Sequence, residues 1–213
     1  MKAKNQRWII ISGIALICCL CCIFSVVLSE KRLTTAQIEL LREQYPVCGL
    51  KVPATISVNR MSVDQVKNIV DTFVYGEVLG CELQYSVAAS LSDEALSEKR
   101  AENGIDEVFE FYEYPIEVIS DTEGRYASGD VITIAANTAF FDYNPVLSIG
   151  MRIVVPVVKD EKIPSRNYYT VDGMYYVTPE GYALAAFDEE SVSVPRVVSS
   201  GVKVEALLKN LKK

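Results

Sequence analysis

The pattern of apolar and polar residues changes along the chain, and it begins with a continuous uncharged run that is typical of a membrane segment. Residues 8–28 contain no charged side chain. At a rise of 1.5 Å per residue, such a segment forms a helix of about 31 Å, which matches a hydrocarbon core of about 30 Å. The pattern therefore predicts a transmembrane helix at 8–28.

Basic residues set the expected orientation of this helix. Lys2, Lys4 and Arg7 precede it, and Trp8 is placed as an interfacial anchor. Because positively charged flanks stay in the cytoplasm, residues 1–7 are predicted to be a cytoplasmic tail, with the rest of the chain outside the cell membrane.

Two alternatives to a single-pass anchor remain open at this point. A signal peptide could be cleaved before Glu30, although the apolar run is longer than the usual core of such peptides. A lipoprotein signal is the second alternative, but Leu16 and Ile17 stand before Cys18 and Cys19, where a small residue is expected. The length of the run favours the uncleaved anchor.

Helical spacing returns twice after the membrane segment, each time with a capping box. Thr34 with Gln37 begins a helix within 30–44, and Ser62 with Gln65 begins another over 62–71. We interpret residues 29–60 as a stalk and lead-in. The second helix is expected to bury one stripe, formed by Val63, Val66, Ile69 and Val70.

From residue 73 onwards the apolar period becomes two, which is typical of β-strands. The segment 83–87 is expected to pair with 73–79, Pro156 is expected near an edge or bulge, and Asp172-Gly173 is expected to close a hairpin. The predicted strands are 73–79, 83–87, 109–120, 131–134, 152–158, 168–172, 175–178 and 182–187.

A last helical pattern lies in 191–213, where apolar residues recur at Val204, Leu207, Leu208 and Leu211. The predicted fold class is therefore α+β. A mainly antiparallel small barrel or sandwich over 61–190 follows a helix and precedes a C-terminal amphipathic helix.

Charge and composition exclude several classes of function. Residues 30–213 carry all 28 acidic and 18 of the 21 basic residues, a net charge of −10, so nucleic acid is a poor partner. The chain has no histidine, which excludes Ser-His-Asp and Cys-His catalysis, sortases and L,D-transpeptidases among them, as well as histidine-ligated zinc. No motif predicts a metal or another cofactor.

Carboxylates are the remaining candidates for catalysis. On one strand Glu113 and Glu117 share a face about 13 Å apart, which is too far for the paired acids of a glycosidase. We interpret the acids as a solvated surface and expect no enzymatic activity, with a carboxylate-dependent cell-wall hydrolase as the alternative. The full set is Glu107, Glu110, Glu113, Glu117, Asp188, Glu189 and Glu190.

Two further residue groups are candidates for a role outside the membrane. Phe140, Phe141 and Tyr143 lie between predicted strands and are expected to contact a partner, although a plug closing one barrel end is the more common use of such residues. Cys48 and Cys81 allow one disulfide in an oxidising compartment, and two separate buried thiols are the alternative.

The order of several short patterns resembles a known group. These patterns are residues 71–78, the run 129–134, Leu147 with Gly150, and residues 175–178 with 181–184. They are similar to uncharacterised membrane-anchored or lipoprotein small β-barrel domains of Gram-positive bacteria. The resemblance implies the fold and the extracytoplasmic location and transfers no activity. We therefore expect a binding or scaffolding domain of the cell envelope, whose partner is another envelope protein or a cell-wall polymer.

Overall fold

The computed structural model describes residues 32–49, 59–88, 108–137, 143–161, 166–189 and 200–213. Apart from Arg32, these residues belong to one unit, Leu33–Lys213. The predicted tail (1–7) and transmembrane segment (8–28) lie outside the described residues. Within the described ranges, no helix is both long and apolar enough to cross a membrane.

The described part of the chain contains helices at both ends and strands between them. The helices are α1 (Thr35–Leu41), α2 (Val63–Ile69) and α3 (Val204–Leu211). The strands are β1 (Thr72–Val78), β2 (Glu82–Ala88), β3 (Val108–Asp121), β4 (Val131–Asn137), β5 (Arg152–Lys159), β6 (Arg166–Tyr169), β7 (Tyr175–Val177) and β8 (Ala183–Ala185).

Five of these strands close into a small barrel, in the order β1-β3-β4-β6-β5 and back to β1. β4 and β6 pair in parallel, whereas the other pairs in the ring are antiparallel. β5 closes the ring by pairing antiparallel with β1. The structure is therefore a barrel rather than a sandwich, and the α+β class is confirmed.

The long strand β3 organises one side of the barrel. Its first half pairs with β2 and its second half with β1, so the predicted pairing of 73–79 with 83–87 is wrong. Both edges of β1 are occupied, by β3 and by β5. At Gly76 the backbones approach so closely that a Cβ would lie 2.6 Å from the carbonyl oxygen of Glu117. A residue without a side chain is required there.

Strand β5 pairs with three neighbouring strands, and this central position explains its nearly continuous apolar sequence. One edge pairs with β1, and the other pairs first with β7 and then with β6. The expectation of an edge or a bulge at Pro156 is wrong, because β5 is paired on both edges and Pro156 keeps its register with Phe73 of β1. On the other edge, Pro156 lies where the partner changes from β7 to β6. The predicted hairpin at Asp172-Gly173 is wrong, because β6 and β7 follow one another along β5 instead of pairing with each other.

The two predicted capping boxes are present. The side chains of Thr34 and Ser62 each accept a hydrogen bond from the backbone N–H of the third helix residue, a glutamine. In return, the backbone N–H of each cap residue donates to the side-chain oxygen of that glutamine. In α2, Val66 is fully buried as predicted, whereas Ile69 is 56% exposed, so the predicted stripe is narrower than expected. The C-terminal stripe is confirmed, because α3 buries Val204, Leu207 and Leu211.

Apolar side chains form two cores on opposite faces of the same strands. Ile153 and Tyr176 lie with the residues of the barrel interior. Their neighbours Val154 and Tyr175 pack in a second core together with residues of α2 and α3. Each fully buried aliphatic side chain contributes about 1.5–3 kcal/mol, so docking of the helices stabilises the barrel substantially. Burial on both faces is why these strands lack a clear polar alternation.

Candidate functional site: a neutral cleft at one end of the barrel

A cleft of about 440 Å³ opens at one end of the barrel. The parallel strands β4 and β6 bring their carboxyl ends to the same edge of the sheet, and the start of β3 lies beside them. The cleft lies beyond these strand ends, and residues from before α2 and before β5 complete its walls. It is lined by Asn59, Met61, Phe111 and residues 135–137, 143–144 and 168–172.

A buried ion pair holds the wall that contains Asn59 and Met61. Arg60 Nε donates to Asp172 Oδ1 at 2.8 Å, and the backbone N–H of Met61 donates to Asp172 Oδ2 at 2.8 Å. Arg60 Nη1 also donates to the carbonyl of Gly49 at 2.9 Å. The Asp172 side chain is 1% exposed. Because both of its carboxylate oxygens accept charge-assisted or backbone hydrogen bonds, this segment is fixed to the barrel.

An aromatic ring borders the cleft. Tyr168 on β6 is 45% exposed, and its hydroxyl donates to Asp160 Oδ2 at 2.9 Å. This hydrogen bond to a carboxylate stabilises the protonated phenol and raises the pKa of Tyr168, with a smaller contribution from burial. The hydroxyl is thereby anchored at the end of β5, while nearly half of the residue remains open to solvent.

The polar groups of the cleft are predominantly uncharged. Asn59, Asn137 and Asn144 supply carboxamides, and Thr170 supplies a hydroxyl that accepts a hydrogen bond from the N–H of Asp172 at 3.3 Å. A carboxamide carries both donors and acceptors. Among the described residues that line the cleft, Asp172 is the one carboxylate, and its charge is compensated by the ion pair. The cleft is therefore lined mainly by apolar and aromatic side chains with a few uncharged polar groups, and it is close to neutral.

The predicted aromatic contact is revised by the structure. Tyr143 is 7% exposed and belongs to the second core, and burial raises the pKa of its phenol. The expectation of an exposed contact does not hold for Tyr143, which supports one wall of the cleft from within the core. Phe140 and Phe141 lie outside the described residues.

The predicted catalytic acids do not converge in the cleft. Glu113 forms an ion pair with Arg166 at 2.9 Å, and Glu110 and Glu117 are exposed on β3. Asp188 and Glu189 follow β8, and Glu107 and Glu190 lie outside the described residues. None of the described acids in this set lines the cleft. Within the part of the chain that is described, no cluster of three or more Cys, Asp or Glu residues could hold a metal ion.

Cys48 and Cys81 are free thiols in the structure. Cys48 is half-buried, its Sγ lies 3.5 Å from the hydroxyl of Tyr176, and burial raises its pKa. Cys81 is exposed and forms a hydrogen bond with Tyr114, whose pKa is raised to about 12 by burial and by this thiol. Since the two thiols face different tyrosines, the predicted disulfide is not formed here. The structure agrees with the alternative of separate thiols, although Cys81 is not buried.

Sequence reasoning missed the residues that shape the cleft. The sequence pattern predicts a turn at Asp172 and a strand at Tyr168 and indicates no binding role for either. Arg60 did carry a signal, because it is the one charged residue between Lys51 and Asp64. An isolated charge in a neutral stretch indicates a buried pair, but nothing in the sequence identifies its partner.

Comparison with known proteins adds no family assignment. No protein-family model matches the chain, and no curated protein matches it significantly.

Proposed function

We propose that this protein is a single-pass, membrane-anchored binding domain of the cell envelope. Residues 8–28 form the anchor, residues 1–7 remain in the cytoplasm, and the barrel lies outside the membrane. The cleft holds a cell-wall component or a segment of another envelope protein. The domain binds or scaffolds this partner without chemical conversion.

The cleft is the observation that carries this proposal. Its volume of about 440 Å³ falls within the range of about 300–1,000 Å³ that is typical of ligand sites. It is lined by aromatic rings and a small number of placed polar groups, which is the usual composition of such sites. The ion pair between Arg60 and Asp172 fixes one wall in advance, and a preformed site loses less conformational entropy when a ligand binds.

The hydrogen bonding of Asp172, the acid in the cleft, favours a binding function over hydrolysis. A carboxylate-dependent hydrolase needs two acids whose environments give them different pKa values at one reacting bond. Asp172 is one acid, and both of its oxygens are engaged by Arg60 and Met61. No second acid lines the cleft among the described residues. Removal of the Asp172 carboxylate is therefore expected to lower the stability of the fold and not to abolish a hydrolytic activity.

Photocrosslinking in whole cells tests the proposed binding. A photoreactive amino acid is introduced at the position of Asn144, which lines the cleft, and in a control at the position of Asn68, an exposed residue of α2. We expect a specific adduct from the Asn144 position and none from the Asn68 position. Absence of an adduct, or equal adducts from both positions, would contradict a binding role of the cleft.

A second experiment tests the proposed location. Fused after Lys213, a reporter that works only outside the cytoplasm is expected to be active, and one that works only inside it to be inactive. The mature protein is expected to keep its first residues. A mature N-terminus at Glu30 would replace the anchor with a secretion signal. Reversal of the three charges at Lys2, Lys4 and Arg7 is expected to impair or invert insertion.

A further inference from the structure

We infer that the cleft binds an uncharged, hydroxyl-rich oligosaccharide, as found in cell-wall polymers. This inference rests on the proposed function, since it names the ligand of the same cleft. It depends on a fixed aromatic surface, on the carboxamides beside it, on the compensated charge, and on the closure of the surrounding strands.

The aromatic surface suits the apolar face of a sugar ring. Tyr168 is 45% exposed, and its hydroxyl is held by Asp160 at 2.9 Å, while Asp160 itself is 7% exposed. The ring is therefore restrained without being covered. A restrained aromatic ring presents apolar area at a small entropic cost. Sugar rings carry their C–H groups on a face, and this face packs against an aromatic plane.

The carboxamides suit the hydroxyl groups of the same ligand. A sugar hydroxyl both donates and accepts a hydrogen bond, and so does a carboxamide. Asn59, Asn137 and Asn144 come from three separate segments and line one cleft together with the Thr170 hydroxyl. A ligand with several hydroxyl groups can both donate hydrogen bonds to such a set and accept hydrogen bonds from it.

The charge of the site selects against ionic ligands. The oxygens of Asp172 accept from Arg60 Nε and from the N–H of Met61, so this carboxylate offers little to a cationic ligand. Residues 30–213 carry a net charge of −10, which repels polyanions such as phosphate-linked polymers. A neutral ligand meets neither obstacle.

The pairing of the strands argues against an extended peptide. Peptides often bind by adding a strand to an open sheet edge. At the cleft, β4 is paired with β3 on one side and β6 on the other, and β6 is paired with β4 and β5. Where they pair, at residues 133–135 and 166–168, the described parts of these strands offer no open edge for such an addition. Recognition at the cleft therefore depends on side chains, which suits a ligand without a peptide backbone.

Direct binding measurements on the full chain test the inference. The protein is placed in phosphatidylcholine nanodiscs, because sugar-headed detergents would compete for the cleft. The probes are the uncharged tetrasaccharides tetra-N-acetylchitotetraose, maltotetraose and laminaritetraose, with the cationic glucosamine tetramer and anionic tetragalacturonate as comparisons. The one tryptophan of the chain, Trp8, lies in the predicted anchor. Calorimetry or saturation-transfer NMR is therefore preferred to intrinsic fluorescence.

The variants separate recognition by the cleft from surface adsorption. We expect at least one uncharged tetrasaccharide to bind, and Tyr168→Ala to weaken it by about tenfold or more. Tyr168→Phe keeps the ring and is expected to stay within about threefold, and Asn144→Ala to weaken binding by about fivefold. The matched control Asn68→Ala removes an exposed carboxamide of α2 and is expected to leave the affinity unchanged. A thermal melt of each variant shows that it remains folded.

The outcomes distinguish this inference from the function on which it rests. Equal binding by all variants, or tighter binding of either charged oligomer, overturns the oligosaccharide inference. If none of the uncharged tetrasaccharides binds while the crosslinker at Asn144 captures a polypeptide, the ligand class is wrong and the binding function stands. If neither a sugar nor a crosslinked partner is found, both are overturned.

Discussion

Replacement of the buried carboxylate tests the ion pair that holds the cleft wall. Asp172→Asn keeps the shape of the side chain and removes its charge. Asp172 accepts from Arg60 Nε and Met61 N at 2.8 Å each, and the amide group of asparagine can face only one of these donors with an oxygen. Hydrogen bonds to charged groups contribute about 1.5–3 kcal/mol each, and breaking a fully buried pair costs about 3–5 kcal/mol.

The partial exposure of Arg60 reduces the loss of stability expected from Asp172→Asn. Its side chain is 19% exposed, so water compensates part of the charge that Asp172→Asn leaves unpaired. We therefore expect the free energy of unfolding to fall by about 3 kcal/mol. For a protein of this size, a loss of 1 kcal/mol lowers Tm by about 2–4 °C, so a decrease of about 9 °C is expected. Thermal unfolding of the full chain, followed by near-ultraviolet circular dichroism, measures it.

An exposed ion pair provides the control. Glu77 lies 3.2 Å from Arg152, and their side chains are 37% and 47% exposed. Glu77→Gln is expected to cost at most about 1 kcal/mol, because exposed pairs contribute little. If Asp172→Asn lowers Tm no more than Glu77→Gln does, the argument that the buried pair fixes the wall is refuted. A double-mutant cycle with Arg60→Ala then measures the coupling between the two residues directly.

Three further predictions concern the thiols, the tyrosines and the second core. Iodoacetamide is expected to alkylate exposed Cys81 at least about tenfold faster than Cys48, whose pKa is raised by burial, and equal rates in peptide-resolved mass spectrometry would contradict this. Burial raises the pKa of Tyr114 from 10.0 to about 12, so the unfolded chain loses this proton first. Tyr114 alone should then lower the free energy of unfolding by about 1.4 kcal/mol per pH unit between pH 10 and 12, the other tyrosines with raised pKa add to this fall, and a flat profile in denaturant titrations would refute the assignment. Tyr143→Ala is expected to lower the free energy of unfolding by about 3 kcal/mol and Tyr143→Phe by less than about 1.5 kcal/mol, so equal urea midpoints for the two variants would show that the ring is not core.

The features that the sequence predicts well are those set by neighbouring residues. Each capping box lies within four consecutive residues, and Thr34 and Ser62 begin their helices where expected. The stripe on α3 depends only on helical spacing, and three of its four members are fully buried. Short apolar runs rich in β-branched and aromatic residues, bounded by turn residues, likewise locate the strands to within a few positions.

The errors arise where distant segments compete for the same partner. Residues 73–79 and 83–87 are close in sequence and read as a hairpin, yet both pair with β3, which is long enough for two partners. Asp172-Gly173 has the composition of a two-residue turn. Its carboxylate instead bonds Arg60, 112 residues earlier, and the chain continues along β5. A local turn signal does not predict a nonlocal ion pair.

The cleft shows why a site of this kind is hidden from sequence reasoning. Closure of the barrel places β4 beside β6, although more than 25 residues separate them in sequence, and the lining residues are brought together only by that closure. Each of them has an ordinary local explanation: Asn137 ends a strand, Tyr168 alternates within one, and Asp172 occupies a turn. Asp172 is the one acid in the described lining, and its ion pair with Arg60 neutralises its charge. It therefore supports the wall of the cleft and is not a candidate for catalysis. A cleft whose acid is committed to structure is suited to hold a ligand and poorly suited to cleave one, and on this ground the binding function is preferred to hydrolysis.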